Sequence, residues 1–173
     1  MLKVLIADDE EKICQLIIKL INWEEMGLKI AATASNGIEA LEQAKICKPE
    51  ILITDIRMPG IDGMELIRKV KEKLPDTEII IISGYRHFEY AQTAIRYGVR
   101  NYLLKPIKKE ELRDTLQKIA DIYREKNEQL NFEERVRLAL KNDAGKLRTS
   151  FISRMIYGDR ERENIISLKE LNN

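Results

Sequence analysis

The sequence predicts an open, doubly wound α/β fold: a five-stranded parallel sheet with helices on both faces, followed by a helical extension. Three observations carry this. Five short apolar runs alternate with segments whose apolar residues recur every three or four positions. The runs are continuously apolar rather than alternating, as in strands covered on both faces. Five strands are too few for the eight-stranded barrel, so right-handed crossovers leave an open sheet.

The elements follow in order. Val4-Leu5-Ile6-Ala7 is the first strand, and Ile13, Leu16, Ile17 and Leu20 then share one helical face. Leu28 to Thr33 is the second strand. Asn36-Gly37 opens a helix carrying Ile38, Leu41 and Ile46, stopped near Pro49. Ile51-Leu52-Ile53 is the third strand, and Pro59-Gly60 a turn. The next helix carries Met64, Leu66, Ile67 and Val70 and ends before Pro75. Ile79-Ile80-Ile81-Ile82, wholly β-branched, is the fourth strand. A helix from Phe88 to Tyr97 stops at Gly98. Val99 to Leu104 is the fifth strand, and a long helix begins near Lys108. Flavodoxin-like sheets of this size have the order 2-1-3-4-5, which is expected here by analogy.

Strand patterns cease after about residue 123, so the domains are expected at 1–122 and 123–173. Leu112, Leu116, Ile119, Tyr123, Lys126 and Leu130 are spaced alternately by four and three. That is either a short coiled-coil seam or one face of a docked helix. Leu147, Phe151, Ile152 and Met155, then Ile165, Ile166, Leu168 and Leu171, mark further helical patches.

Composition narrows the function. With 44% hydrophobic residues in a chain of 173, a wholly disordered protein is excluded. Thirty basic residues against 29 acidic leave +1, so charge-driven nucleic-acid binding is not expected. No apolar run approaches the ~20 residues of a membrane span, and the apolar start meets acid at Asp8 too soon for a signal peptide. Two cysteines, Cys14 and Cys47, make no disulfide framework, and both are expected as buried small hydrophobes. A cytoplasmic location with no membrane partner is the expectation.

Ligands of an open parallel sheet bind beyond the carboxyl ends of its strands. Strand one ends in Asp8-Asp9, strand three in Asp55 and strand four in Ser83, and Lys105 follows strand five. Each has a plain structural reading: Asp8 and Asp9 as an acidic helix start, Asp55 as a turn cap, Ser83 as a turn, Lys105 as a solvated charge. Their coincidence at strand ends points to chemistry. Two unit charges 4 Å apart repel by ~4 kcal/mol at an effective dielectric of ~20, and a hard divalent cation relieves that. Few carboxylates with retained waters suit Mg²⁺ better than Ca²⁺. An aspartate can also be a nucleophile, forming an acyl phosphate, with Mg²⁺, Lys105 and Ser83 holding the phosphoryl oxygens.

These residues resemble the receiver (CheY-like) domain of two-component response regulators over residues 1 to about 122. The motifs are Asp8-Asp9-Glu10, Asp55-Ile56-Arg57-Met58-Pro59-Gly60-Ile61-Asp62-Gly63, Ser83-Gly84-Tyr85 and Tyr102-Leu103-Leu104-Lys105-Pro106. The resemblance implies that Asp55 accepts phosphate from a sensor histidine kinase. It implies that Asp9, Asp55 and the backbone carbonyl of Arg57 bind Mg²⁺, with Asp8 helping through water. It makes Ser83 and Tyr102 a switch pair, brings Lys105 to the phosphoryl group and makes the bond before Pro106 cis. The implied molecule is a phosphorylatable switch that changes its α4-β5-α5 face and pairs with a second copy when phosphorylated, not a turnover enzyme.

Ile21-Asn22-Trp23 with Gly27, Asn36-Gly37-Ile38-Glu39-Ala40 and the stretch from Ser83 to Ala91 resemble the YesN-like subfamily. Its members join a receiver through a helical region to an AraC-type DNA-binding domain. No helix pair of that type precedes Asn173, so DNA contact is expected only through a missing C-terminal domain. The alternative is a stand-alone receiver acting by protein contact.

Two other chemistries share the fold. A flavin carrier needs hydroxyls, glycines and free backbone N–H groups after strand one, where four acidic residues stand. A phosphohydrolase of the haloacid-dehalogenase type needs a second aspartate two positions after its nucleophile, where Arg57 stands. His87, the single histidine, lacks a nucleophilic partner motif, and Trp23 is read as an anchor for the end of the first helix.

Overall fold

The computed structural model describes residues 1–84, 88–99, 101–130 and 133–134. Strands β1 (Leu2–Ala7), β2 (Leu28–Ala34), β3 (Ile51–Thr54), β4 (Glu78–Ser83) and β5 (Asn101–Leu104) alternate with helices. The helices are α1 (Glu11–Leu20), α2 (Gly37–Cys47), α3 (Gly63–Lys73) and α4 (Phe88–Arg96), and a helix over 109–130, α5, follows β5. All strand pairs are parallel and the order is β2-β1-β3-β4-β5. This is the doubly wound, CheY-like sheet the sequence predicts.

Side-chain alternation along each strand divides the core into two layers. Val4, Ile6, Ile51, Ile53, Ile80, Ile82 and Leu103 face one side, where they meet Cys14 and Ile17 of α1 and Leu112, Leu116 and Ile119 of α5. Leu5, Ala7, Leu52, Ile79 and Ile81 face the other, against Ala40 and Ala44 of α2, Leu66, Ile67 and Val70 of α3 and Ala94 of α4. Each fully buried Leu or Ile contributes ~1.5–3 kcal/mol relative to exposure. The register sets the functional edge: Ala7 pairs with Thr54 and Thr54 with Ile81. Asp8 and Asp55 therefore leave the sheet side by side, each one residue past the paired ends.

Caps and turns behave locally as their residues dictate. The Asn36 side chain accepts the Glu39 N–H at the start of α2, and Asp62 does the same for Glu65 at the start of α3. The φ of +75° at Gly98 ends α4 in the left-handed region. The Trp23 indole N–H donates to the Ile18 carbonyl at 2.9 Å and the ring is buried, pinning the end of α1.

Three expectations need correction. On α2 it is not Ile38 and Ile46 that face the sheet; they are 53% and 76% exposed, and the small Ala40 and Ala44 are buried. Of its large apolar residues Leu41, half-buried, packs against that core layer. Leu16 of α1 is likewise exposed, leaving Ile17 to the core, and Cys47 is only partly buried. Of the two readings left open for the spaced series of α5, the docked face holds over Leu112, Leu116 and Ile119, which are buried in the core of Met1–Tyr123, with Tyr123 packed on it.

The chain divides into two compact units, Met1–Tyr123 and Arg124–Asn173. In the second, residues 124–130 are helical and exposed, as are 133–134. The helical patches expected from Leu147 and Ile165 onward lie outside the described residues, as does His87. Among the described residues no helix is long and apolar enough to cross a membrane.

Candidate functional site

β1, β3 and β5 deliver their carboxyl ends to one edge of the sheet. The Asp55 N–H donates to the Ala7 carbonyl at 2.9 Å, extending the β1–β3 ladder by one rung into the site. The Lys105 N–H donates to the Ser83 carbonyl at 2.9 Å, doing the same between β4 and β5. The Lys105–Pro106 peptide bond is cis.

Lys105 is the electrostatic centre. Its Nζ lies 2.7 Å from Asp55 Oδ2 and 3.0 Å from Asp8 Oδ2, with Glu10 Oε1 at 3.8 Å. Asp8 is 2% exposed and Asp55 8%. One carboxylate oxygen from each of buried Asp8, exposed Asp9 and buried Asp55 lies within 4.8 Å of the other two. Burial pushes the Asp8 carboxyl above its ordinary value, against the Glu10 N–H and the Lys105 ammonium, which pull it down. Burial disfavours the Lys105 ammonium, but hydrogen bonds to Asp55 and Asp8 outweigh it and hold that group above the usual lysine range.

Among the described residues, one ammonium against three close carboxylates, two of them buried, leaves net negative charge at this edge. Oxygen donors alone, two of them buried, are the donor set of a hard divalent cation. Mg²⁺ fits these residues. Asp8 is no helix cap: Glu10 occupies that position in α1, while Asp8 Oδ1 accepts the Glu10 N–H at 2.9 Å and its other oxygen faces Lys105.

The remaining predicted residues sit around this centre. Arg57 is exposed in the β3–α3 connection, two residues past Asp55. Ser83 is fully buried at the end of β4. Tyr102, paired with Ile81 in register, is half-buried against the layer of α2, α3 and α4. The structure thus joins Asp8, Asp9, Asp55 and Lys105 directly, with Ser83 and Tyr102 on the adjoining strands.

Two contributors were not singled out from sequence. The buried Thr54 hydroxyl donates to the Asp55 carbonyl at 2.8 Å. Gly63 comes so near that a Cβ there would lie 2.0 Å from the same carbonyl. The signal for Gly63 was its place after the capping Asp62; Thr54 carries no signal, since a threonine at a strand end is ordinary.

Comparison with known proteins agrees with this geometry. The family model described as the response regulator receiver domain matches residues 4–117. The transcriptional regulatory protein YesN of Bacillus subtilis is 40% identical over 139 residues, 77% of this chain and 38% of that protein. The transcriptional regulatory protein HptR of Staphylococcus aureus is 40% identical over 107 residues, 62% of this chain and 42% of that one. The REC domain of AraT, a response regulator from Geobacillus stearothermophilus, superposes with a TM-score of 0.70 at 41% identity, covering 73% of this chain and 98% of that one. A two component transcriptional regulator AraC from Clostridium phytofermentans gives 0.65 at 36% identity, covering 70% and 94%. The chain spans less than half the length of these two curated relatives.

Proposed function

The chain belongs to the response regulator receiver domain family, and on that footing we propose that Asp55 is the phosphoacceptor of a phosphorelay whose output is transcriptional. The observation that carries the proposal is the bridge from Lys105 Nζ to both Asp55 and Asp8 at the strand ends. An Asp55 carboxylate oxygen attacks the phosphorus of a phosphohistidine on a sensor histidine kinase. The P–N bond breaks, the imidazole nitrogen keeps the electron pair, and an acyl phosphate remains on Asp55. Lys105 is already held within reach of Asp55, so its ammonium follows the charge onto the phosphoryl oxygens without crossing solvent. Asp9, Asp55 and the Arg57 carbonyl, helped by Asp8, would hold a Mg²⁺ ion, which would supply further positive charge for the phosphoryl oxygens.

Domain 1–122 is the switch and 123–173 the linker to the output. Ser83 captures the new phosphoryl group, the loop after β4 follows, and Tyr102 turns inward, which changes the face made by α4, β5 and α5. That face then pairs with a second copy. DNA is contacted through sequence beyond these residues, in the cytoplasm, and the relatives' greater length supports this. Arg57 in place of a second acid two residues after Asp55 argues against a hydrolase. Incubation with a small phosphodonor and Mg²⁺ should add one phosphoryl group by intact mass, and Asp55→Asn should add none. Equal labelling of that variant would overturn the assignment.

A further inference from the structure

The start of α2 presses on the connection between β3 and α3. We propose that Gly37, the first residue of α2, is a positioning residue for phosphoryl transfer: its missing side chain sets the path of residues 57–62, and with it the Arg57 carbonyl. This rests on the receiver reading above and extends it to a residue outside the site. A Cβ on Gly37 would lie 2.1 Å from the Ile61 carbonyl oxygen and 2.6 Å from Ile61 Cγ1. Atoms in a close-packed interior do not approach so closely, so one side must give.

The α2 side is fixed. Asn36 caps Glu39, the Glu39 carboxylate accepts from the Ser35 N–H and hydroxyl at 2.8 Å, and Ala40 and Ala44 are buried. The connection is the softer partner. Arg57, Pro59 and Gly60 are exposed, and Gly60 turns at a φ of +83°. Its far end is clamped, because the Gly63 N–H donates to the Ile56 carbonyl at 2.7 Å and Gly63 has no room to move towards Asp55. A push at Ile61 falls first on exposed Pro59 and Gly60 and passes through Met58, which is seated in the core, to the Arg57 carbonyl beside it. Ile38 makes a second contact of the same kind: a Cβ on Gly60 would lie 2.8 Å from Ile38 Cδ1.

The test is Mg²⁺ titration of the full chain by calorimetry, beside unfolding followed by Trp23 fluorescence. Gly37→Ala should bind Mg²⁺ about tenfold more weakly, the loss typical of a residue supporting metal ligands. Its labelling rate by a small phosphodonor should recover as Mg²⁺ is raised. Gly27→Ala is the control: Gly27 has a φ of +70° and nothing within 4 Å of an added Cβ, so that variant should lose stability and keep wild-type Mg²⁺ affinity. A folded Gly37→Ala protein within about twofold of wild-type affinity overturns the proposal. If Gly37→Ala does not fold, Asn36→Ala decides, since it loosens the α2 start without adding atoms: about threefold weaker binding supports the proposal and unchanged binding overturns it. Failure of the wild type itself to bind Mg²⁺ removes the receiver-site reading, and the proposal with it.

Discussion

Replacing Lys105 by methionine removes the one ammonium that, among the described residues, faces Asp8 and Asp55 while keeping the length of the side chain. At 2.7 and 3.0 Å the two attractions amount to ~6 and ~5.5 kcal/mol at an effective dielectric of ~20. The three carboxylates, within 4.8 Å of one another, repel by at least ~3.5 kcal/mol per pair on the same scale. Most of the attraction offsets the cost of taking the charges out of water, so the net loss is smaller than the Coulomb sum. Removing one partner of a fully buried pair costs ~3–5 kcal/mol, and the 17% exposure of Lys105 lowers the expectation to ~2–4 kcal/mol. Urea unfolding in chelator, followed by the fluorescence of Trp23, reads this from within the receiver unit. Adding Asp55→Asn to Lys105→Met should restore much of the loss, and millimolar Mg²⁺ should narrow it. A Lys105→Met protein within ~0.5 kcal/mol of wild type in chelator would show that the bridge is relaxed by solvent and refute the reasoning.

Tyr123→Phe should cost ~1–2 kcal/mol at pH 7, because the phenol's single proton is donated to the backbone carbonyl of Asp76, with the Glu50 carbonyl sharing it at 3.2 Å. Burial, with the charges of Glu78, Glu50 and Asp76, pushes that phenol up to about 12 from 10.0, so its contribution is complete below pH 10 and fades as pH rises to about 12; a gap that stayed constant over that range would contradict this. Phosphorylation should shift the chain from monomer towards dimer in sedimentation, and Ile95→Asp, at a 71% exposed position of α4, should abolish the shift. Identical mass with and without a phosphoryl mimic would count against the switch. Residues 1–173 should show only weak, steeply salt-dependent DNA binding in an anisotropy titration at ~150 mM salt, since residues 121–173 carry 11 basic against 10 acidic side chains. Sub-micromolar, sequence-dependent binding would contradict that.

The sheet was legible because each strand announces itself: a parallel strand buried on both faces must be apolar throughout, as Ile79 to Ile82 are. The acidic edge was legible for the complementary reason, that charges at the ends of such strands need a purpose. What periodicity missed was contact distance. On α2 the large Ile38 and Ile46 look like the inner face by spacing, yet they are exposed and the small Ala40 and Ala44 are the buried positions. On α5 the alternating spacing of Leu112 to Tyr123 fits a coiled coil and a docked helix equally, and only the position of the sheet distinguishes them. The support that Thr54 gives to Asp55 is likewise invisible in sequence, since it acts through a backbone carbonyl, whereas Gly63 is marked only by its place after the capping Asp62.

The central claim is that the phosphoryl group resides on Asp55. It is tested most directly by phosphorylating the chain with a small phosphodonor and Mg²⁺, reducing the acyl phosphate with borohydride and sequencing the peptides by mass spectrometry. The account predicts homoserine in place of aspartate at position 55 and unmodified aspartate at positions 8 and 9. Conversion at Asp8 or Asp9 with position 55 intact would contradict it.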